Sequence, residues 1–173
     1  MTRSKLRVLI SAEKIADRVR ELGAEIDSDY DGPIHLVGIL KGAIMFHADL
    51  ARAITRPVRL DFIGISSYGR GKTSSGEVRL TRDLDTSIEG MDVLIVEDIV
   101  DSGVTLSYLT QVLHQRKPKS IRIVTLLDKP DRRLRPVDVK YVGFRIPDEF
   151  VVGYGLDYAE DYRNLPEICV LEE

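Results

Sequence analysis

Several features that define particular protein classes are scarce in this sequence. Its 173 residues include a single cysteine, Cys169, so neither an intrachain disulfide nor a cysteine-based metal site can form, and a reducing compartment is expected. No apolar run approaches the roughly 20 residues that a membrane span requires. The N-terminus is too short and too interrupted by charge for a secretory signal. We therefore expect a cytoplasmic protein without a membrane partner.

An excess of positive charge is also missing. The chain has 25 Lys and Arg residues against 28 Asp and Glu residues, which gives a formal net charge of −3. Proteins that bind nucleic acids without sequence specificity usually carry a basic surface. We therefore expect no nucleic-acid partner, and small anionic ligands would need a local site.

What the sequence does contain is typical of an α/β protein. Apolar residues make up 43% of the chain, which at this length predicts a single domain spanning residues 1–173. Helical and strand patterns alternate without a linker, a repeat or a low-complexity segment. The order predicts a mostly parallel, twisted sheet flanked by helices, with ligands bound outside the carboxyl ends of the strands.

The elements can be placed from their apolar periodicity. Ser11 is suited to cap a helix whose core face carries Ile15 and Val19, and Gly23 is a candidate early end for it. A second helix, after Lys41 and Gly42, is expected to carry Ile44, Ala48 and Leu50. Five strands are predicted from the stretches "IHLVGIL", "VRLDFIGIS", "DVLIV", "SIRIVTLL" and "VKYVGFRI".

One stretch combines a strand, a turn and a helix start with three carboxylates at the join. It is "VLIVEDIVDSGVTL", residues 93–106. Backbone N–H groups at the helix start, with the hydroxyls of Ser102 and Thr105, suit a phosphate monoester. Glu97 and Asp98 would repel that phosphate, so they require sugar hydroxyls or a bridging cation as partners. The stretch therefore predicts a ribose 5-phosphate ligand, whereas an acidic loop with a helix cap is the alternative.

This stretch closely resembles the diphosphoribosyl-binding motif of the phosphoribosyltransferases. That motif is a short apolar strand, two acids, two apolar residues and Asp-Ser/Thr-Gly-x-Thr. Three further stretches narrow the resemblance to the bacterial hypoxanthine phosphoribosyltransferases, from about Leu9 to the C-terminus: "LKGA" at 40–43, "LLDKP" at 126–130 and "IPDEFVVGYGLDYAEDYRNLP" at 146–166. Val104 occupies a variable place in the motif, and Ala43 replaces the family's second glycine.

The resemblance implies a fold and a reaction. The fold is that of the type I phosphoribosyltransferases, with a small hood built from the chain termini and a flexible catalytic loop. The reaction moves the 5-phosphoribosyl group from 5-phosphoribosyl 1-diphosphate to hypoxanthine or guanine, giving IMP or GMP and pyrophosphate, with Mg²⁺ as cofactor. The purine base and the phosphoribosyl diphosphate would be the small-molecule partners, and a homodimer or homotetramer is expected.

The resemblance also implies roles for the residues of the donor site. Glu97 and Asp98 would hold the ribose hydroxyls and contribute to the metal site, and Asp101 would be the catalytic residue that takes the proton near purine nitrogen 7. The residues that would enclose the 5-phosphate are Ser102, Gly103, Val104 and Thr105.

The pyrophosphate and the base would be bound by other segments. Lys41 and Gly42 match the pyrophosphate loop, in which the family has a cis peptide bond before the lysine, and Arg163 matches a residue that reaches the pyrophosphate. Asp157 would lie beside the purine and position the metal through water.

Three residues are implied in purine binding. Lys129 would donate to the purine 6-oxo group, Phe150 would stack on the base, and Val151 would supply backbone contacts. Without the resemblance, Lys129 would be read as a solvated lysine of the basic run "KPDRRLRP". Core packing is the alternative for Phe150, and a surface role is the alternative for Arg163.

The loop "SYGRGKTSSGE", residues 67–77, is a candidate lid. Its glycines and serines make ordering costly, and the resemblance places the family's catalytic loop here, with Ser67 and Tyr68 closing over the pyrophosphate. The Gly-Lys-Thr within it is not followed by the helix that a P-loop requires.

Two other functions are left open. A non-enzymatic, RNA-binding attenuator of the same fold would use the basic run as its surface. A phosphoribosyltransferase that prefers xanthine or guanine would use the same motif.

Overall fold

The computed structural model describes residues 5–67 and 78–172. The strands are β1 (Lys5–Ile10), β2 (Ile34–Leu40), β3 (Val58–Ser67), β4 (Val78–Arg82), β5 (Asp92–Val100), β6 (Ser120–Asp128), β7 (Tyr141–Arg145), β8 (Val151–Val152) and β9 (Ile168–Glu172). The helices are α1 (Ala12–Asp29), α2 (Ile44–Ala53) and α3 (Val104–His114), with a 3-10 turn at Pro130–Arg132. In the part of the chain so described, no helix combines the length and the apolar character needed to cross a membrane.

The main sheet has six strands in the order β4-β3-β2-β5-β6-β7. All neighbours run parallel except β3 and β4, which pair antiparallel at one edge. Alternate residues of the central strands enter two cores: Leu36 and Leu94 pack on one side with α1 and α2, and Val37 and Ile95 pack on the other with α3. The predicted α/β architecture with helices on both faces is confirmed.

A second sheet joins the two ends of the described chain. It has the order β1-β9-β8, and β1 pairs antiparallel with β9, with Lys5 opposite Glu172. Strand β8 in turn pairs antiparallel with β9. The expected hood is therefore a three-stranded antiparallel sheet.

One local prediction was wrong. Gly23 does not end α1, which runs on to Asp29; a Cβ at Gly23 would lie 2.5 Å from the carbonyl oxygen of Ala53, so glycine allows α1 and α2 to pack closely. The predicted second helix is present as α2, which buries Phe46 and Leu50 and leaves Ile44 exposed. Helical periodicity gave the right elements here, but the close approach of two helices cannot be read from one of them.

The parallel strands bring separate parts of the sequence to one edge of the sheet. Lys41 follows the last residue of β2, Asp101 that of β5, and Lys129 that of β6. Because β2, β5 and β6 are parallel neighbours, these three residues stand side by side at the carboxyl end of the sheet.

Candidate active site

A small cavity forms where β5 passes into α3. We call it the turn cavity; it measures about 150 Å³ and is lined by Glu97, Asp98, Ile99, Val100, Asp101, Ser102, Gly103, Thr105 and Leu106. Gly103 has a φ of 82° and caps the helix, and a side chain there would meet the carbonyl oxygen of Arg135 at 2.6 Å. The first N–H groups of α3 have no carbonyl partner within the helix, which leaves donors for an anion. Val104 begins α3 and lies outside the lining.

The two acids at the end of β5 are held by the backbone next to them. Glu97 is buried and accepts a hydrogen bond of 3.0 Å from the N–H of Asp98, whose carboxylate accepts one of 2.7 Å from the N–H of Ile99. Burial raises the pKa of Glu97 well above its usual range, and the charge of Asp98 raises it further. The pair thus presents close-set oxygen acceptors to the turn cavity.

The segment after β6 holds the turn from behind. Arg133 donates through Nη1 to the carbonyl of Asp101 at 3.2 Å and through Nη2 to the buried Asp128 at 2.5 Å. The N–H groups of Leu134 and Arg135 both donate to the carbonyl of Ser102, at 2.8 and 3.0 Å. The carbonyls of Asp101 and Ser102 are therefore both bound by the segment after β6. Sequence reasoning missed Arg133, because "KPDRRLRP" reads as a solvated basic run.

A larger cleft opens beside the turn cavity. We call it the large cleft; it measures about 530 Å³ and is lined by Ile99, Asp101, Lys129, Arg132, Asp148, Phe150, Val151, Leu156 and Asp157. Asp101 and Ile99 line both cavities. The four residues that were expected around the purine therefore meet in one cleft, with Asp101 at its junction with the turn cavity.

The exposure of Lys129 and of Phe150 in the large cleft contradicts the alternative interpretations of these two residues, a solvated lysine and a core aromatic residue. Lys129 is only 8% exposed, and its ammonium lies 3.7 Å from the carboxylate of Asp148, so it is not a solvated lysine. Phe150 is 52% exposed and contacts Tyr158 edge to face, with ring centroids 5.7 Å apart, so it is not a core residue. A buried ammonium and an accessible ring face are available to a planar ligand.

The charged side chains of the large cleft form a chain of alternating sign. Arg132 Nε lies 2.8 Å from Asp101 Oδ1, and Arg132 Nη1 lies 3.4 Å from the carboxylate of Asp148. Lys129 Nζ lies 3.7 Å from Asp148. Neither Arg132 nor Asp148 was singled out from the sequence, and their proximity depends on the loop before β8 folding back over the end of β6.

The remaining candidates are Lys41, Gly42 and Arg163. They lie with Glu160 next to the turn cavity, and we call these four residues the third group. The peptide bond between Leu40 and Lys41 is cis, as the resemblance implied. Lys41 Nζ donates to Glu160 at 2.9 Å, and Arg163 Nη2 donates to the same carboxylate at 3.1 Å. The Lys41 ammonium and the Arg163 guanidinium lower the pKa of Glu160 below its usual value. Two cations from distant parts of the sequence are thus brought to one anion.

Gly42 connects this third group to the acids of β5. A Cβ at Gly42 would lie 1.8 Å from Asp98 Oδ2, so only glycine lets the carboxylate stand where it does. On the other side, a Cβ at Gly155, which has a φ of 99°, would lie 2.2 Å from the carbonyl oxygen of Gly42. Arg163 Nη1 donates to the carbonyl of Gly155 at 2.7 Å, and Nη2 lies 3.4 Å from Asp157.

Of the candidate lid, residues 67–77, the structure describes only the backbone of Ser67. Ser67 ends β3, where its backbone pairs with Val78 of β4. Tyr68 and the rest of the loop to Glu77 lie outside the described residues, and so does the lid prediction.

Known proteins share both the sequence and this architecture. Residues 9–159 match the family model described as phosphoribosyl transferase domain. The chain is 57% identical over 167 residues to the hypoxanthine-guanine phosphoribosyltransferase of Bacillus subtilis (strain 168), covering 96% of this chain and 93% of that protein.

Solved structures agree with that match. A hypoxanthine phosphoribosyltransferase from Staphylococcus aureus superposes with a TM-score of 0.93 at 53% identity, covering 96% of this chain and 91% of the other. A hypoxanthine-guanine phosphoribosyltransferase from Bacillus anthracis gives a TM-score of 0.93 at 47% identity, covering 98% and 99%. Sequence motif, sheet order and whole-chain similarity agree: the chain belongs to the phosphoribosyltransferase family.

Proposed function

We propose that this chain transfers the 5-phosphoribosyl group of 5-phosphoribosyl 1-diphosphate to hypoxanthine or guanine, in purine salvage. The observation that carries the proposal is the position of Asp101, which lines both the turn cavity and the large cleft. A sugar phosphate in the first and a planar base in the second would meet at this carboxylate. The reaction forms the bond between the base nitrogen and the anomeric carbon, releases pyrophosphate, and sends the purine proton to Asp101.

The turn cavity suits the sugar-phosphate part of the donor. The N–H groups at the start of α3, which have no carbonyl partner within the helix, would bind the 5-phosphate with Ser102 and Thr105. Glu97 and Asp98 would accept hydrogen bonds from the ribose hydroxyls. The clamp of Arg133 behind the turn supports this role, because it holds the loop in place before the ligand arrives.

The large cleft suits a 6-oxopurine. An ammonium can only donate hydrogen bonds, so the buried Lys129 favours an oxygen at position 6 and disfavours the amino group of adenine. Phe150 offers an exposed ring face for stacking, and Val151 lines the same cleft.

The third group suits the leaving pyrophosphate. Negative charge develops on that group as the anomeric bond breaks, and preorganised cations stabilise it. Lys41 and Arg163 are two such cations, and both contact the carboxylate of Glu160. We infer that pyrophosphate replaces this carboxylate between them.

The acids present fit a Mg²⁺ ion that arrives with the donor. Within residues 5–67 and 78–172, no three His, Cys, Asp or Glu side chains cluster as a metal site made of protein alone. Magnesium commonly binds one or two carboxylates together with substrate phosphates and water. Glu97, Asp98 and Asp157 would be the protein ligands, direct or through water, and the ion would supply charge neutralisation of the pyrophosphate.

Two features of the whole chain extend the proposal. The terminal strands β1 and β9 pair in the hood, which supports a single domain over residues 1–173. A buried Cys169 in a chain with no other thiol supports a cytoplasmic site of action. We infer that the enzyme works as a homodimer or homotetramer, as its family resemblance implies.

The test is a panel of adenine, guanine, hypoxanthine, xanthine and uracil, each with phosphoribosyl diphosphate and Mg²⁺, followed by nucleotide formation. We expect turnover with hypoxanthine, guanine or both, and little with adenine or uracil. Faster turnover with xanthine than with hypoxanthine would favour the xanthine-preferring alternative, and no turnover with any base would overturn the proposal.

The RNA-binding alternative has little support in the basic run. Arg132 contacts Asp101 and Asp148, and Arg133 contacts the buried Asp128. These guanidiniums are therefore already paired within the protein. A salt-dependent affinity for structured RNA would argue for that alternative.

A further inference from the structure

Two charged residues of the large cleft have no part in the proposed function. Arg132 and Asp148 lie between Asp101, which would take the purine proton, and Lys129, which would bind the 6-oxo group. The four side chains alternate in sign across the cleft that they all line. Each of these side chains is attracted by a neighbour of opposite charge, and this attraction restricts its orientation.

The guanidinium of Arg132 is oriented by two carboxylates. Its Nε lies 2.8 Å from Asp101 Oδ1 as an ion pair without hydrogen-bond geometry, and its Nη1 donates to the carboxylate of Asp148 at 3.4 Å. Because the guanidinium is planar and its donors are rigidly spaced, contacts at two of its nitrogens fix the plane of the group. Lys129, 3.7 Å away, gives Asp148 a second cation.

Asp101 needs such a support because packing alone does not hold its side chain. The carboxylate side chain is 44% exposed, whereas the backbone of Asp101 is held through its carbonyl by Arg133. Among the described residues Oδ1 is buried without a hydrogen-bond partner, and Arg132 Nε is the cationic group that lies beside it, at 2.8 Å. A proton acceptor works only within hydrogen-bond reach of the proton that it takes, so the direction of this carboxylate matters to the rate.

We propose that Arg132 is a positioning residue that directs the Asp101 carboxylate toward the base, and that Asp148 holds Arg132 in place. The proposal rests on the proposed role of Asp101 as proton acceptor. It adds Arg132 and Asp148 as residues that orient the Asp101 carboxylate. Arg132 acts through Asp101 and touches the reacting atoms only by way of that carboxylate. Its removal should therefore lower kcat and leave donor binding in the turn cavity unchanged.

The test is a double-mutant cycle of Arg132→Ala and Asp101→Asn, with kcat and KM measured for hypoxanthine and for the donor. We expect Arg132→Ala to lower kcat by about 10-fold, since a misplacement of about 1 Å can cost on the order of 100-fold. Donor KM should stay within about 2-fold. In the Asp101→Asn background, Arg132→Ala should cost nothing further, because the group that it positions is gone.

Two further variants complete the design. Asp148→Asn should reproduce part of the loss, and Arg132→Lys, which keeps the charge but cannot bridge both carboxylates, should fall between wild type and Arg132→Ala. Arg20→Ala is the matched control: Arg20 is an exposed arginine paired with Asp17 on α1, outside the large cleft, and its loss should leave kcat unchanged.

The outcomes separate the two hypotheses. Full kcat in Arg132→Ala together with a large loss in Asp101→Asn would overturn the positioning role alone. An equal loss from Arg132→Ala in both backgrounds would show that Arg132 acts independently of Asp101. Full kcat in Asp101→Asn would overturn the proposed role of Asp101, and the positioning role with it.

Discussion

The turn cavity and the large cleft are adjacent, yet they are built in opposite ways. The turn cavity comes from one stretch of ten residues, 97–106, and its polar walls are backbone, hydroxyls and three acids, two of which accept from neighbouring N–H groups. The large cleft comes from the ends of β5 and β6 and from the segment around β8, and its charged walls are long, partly exposed side chains paired with one another. The first is fixed by local chain geometry, whereas the second is fixed by interactions between distant segments.

This difference has an energetic consequence for binding. Exposed ion pairs each contribute only about 0–1 kcal/mol, so a ligand can exchange them at small cost. Rearranging a backbone turn would break several hydrogen bonds at once, each contributing about 0.5–1.5 kcal/mol. We therefore expect the turn cavity to be preformed and to anchor the donor, and the exposed Lys41–Glu160 pair of the third group to exchange when pyrophosphate binds.

The largest effect is expected at the residue that the two cavities share. Asp101→Asn should lower kcat by roughly 100- to 10,000-fold, the usual range for general-base help, because the amide cannot take the purine proton. Donor binding should change little, since the turn and its clamp are intact. Steady-state rates with hypoxanthine check this, with Asp17→Asn on the surface of α1 as the control. Unchanged kcat would remove Asp101 from the chemistry.

A smaller effect, confined to the base, is expected from Lys129→Ala. One charged hydrogen bond contributes roughly 1.5–3 kcal/mol, so kcat/KM for hypoxanthine should fall by about 10- to 100-fold, and the preference over adenine should shrink. Lys119→Ala, which removes an exposed lysine near Asp92, serves as the control. If the preference over adenine were untouched, the assignment of Lys129 would be wrong.

The contact between the third group and the turn cavity can be tested by Gly42→Ala. The new Cβ would meet Asp98 Oδ2 at 1.8 Å, so the carboxylate must move away from its place beside the sugar site. We expect donor KM to rise by about 10-fold, in line with the cost of small misplacements. The unfolding temperature should change little, because the end of a side chain can rotate.

Gly32→Ala is the matched control for that substitution. A Cβ at Gly32 would have nothing within 4 Å, so the same chemical change should leave the donor KM unchanged. A large fall in the unfolding temperature of Gly42→Ala without a change in donor KM would show that Gly42 serves the fold rather than the site.

The smallest effect, and one of opposite sign, is expected from Glu160→Gln. Its carboxylate occupies the two cations that we assign to pyrophosphate, and the pair with Lys41 is exposed, so removing the charge should tighten pyrophosphate binding by only about 2- to 3-fold. Inhibition by pyrophosphate at fixed donor concentration measures this. Glu89→Gln, an exposed glutamate just before β5, controls for the change in net charge. Weaker binding in Glu160→Gln would mean that Glu160 organises the site instead.

The sequence by itself determined the turn cavity and most of the architecture. Its ligand groups lie within ten consecutive residues, so strand, turn and helix periodicity place them together without knowledge of the rest of the chain. The same local logic predicted the parallel strands, whose buried residues repeat along each stretch. The core face of α3 is equally local, since Leu106, Leu109 and Leu113 recur at helical spacing and are all buried.

Only the tertiary structure decided what surrounds that turn. The roles of Arg132, Arg133, Asp148 and Glu160 depend on contacts with residues far away in sequence, and a basic run such as "KPDRRLRP" has the same local pattern whether it is solvated or paired. The segment around Glu160 follows neither the helical nor the strand period, since it turns through positive φ angles at residues 159, 160 and 162. Such contacts form because parallel strands end at one edge of the sheet, and no single stretch of sequence contains that edge.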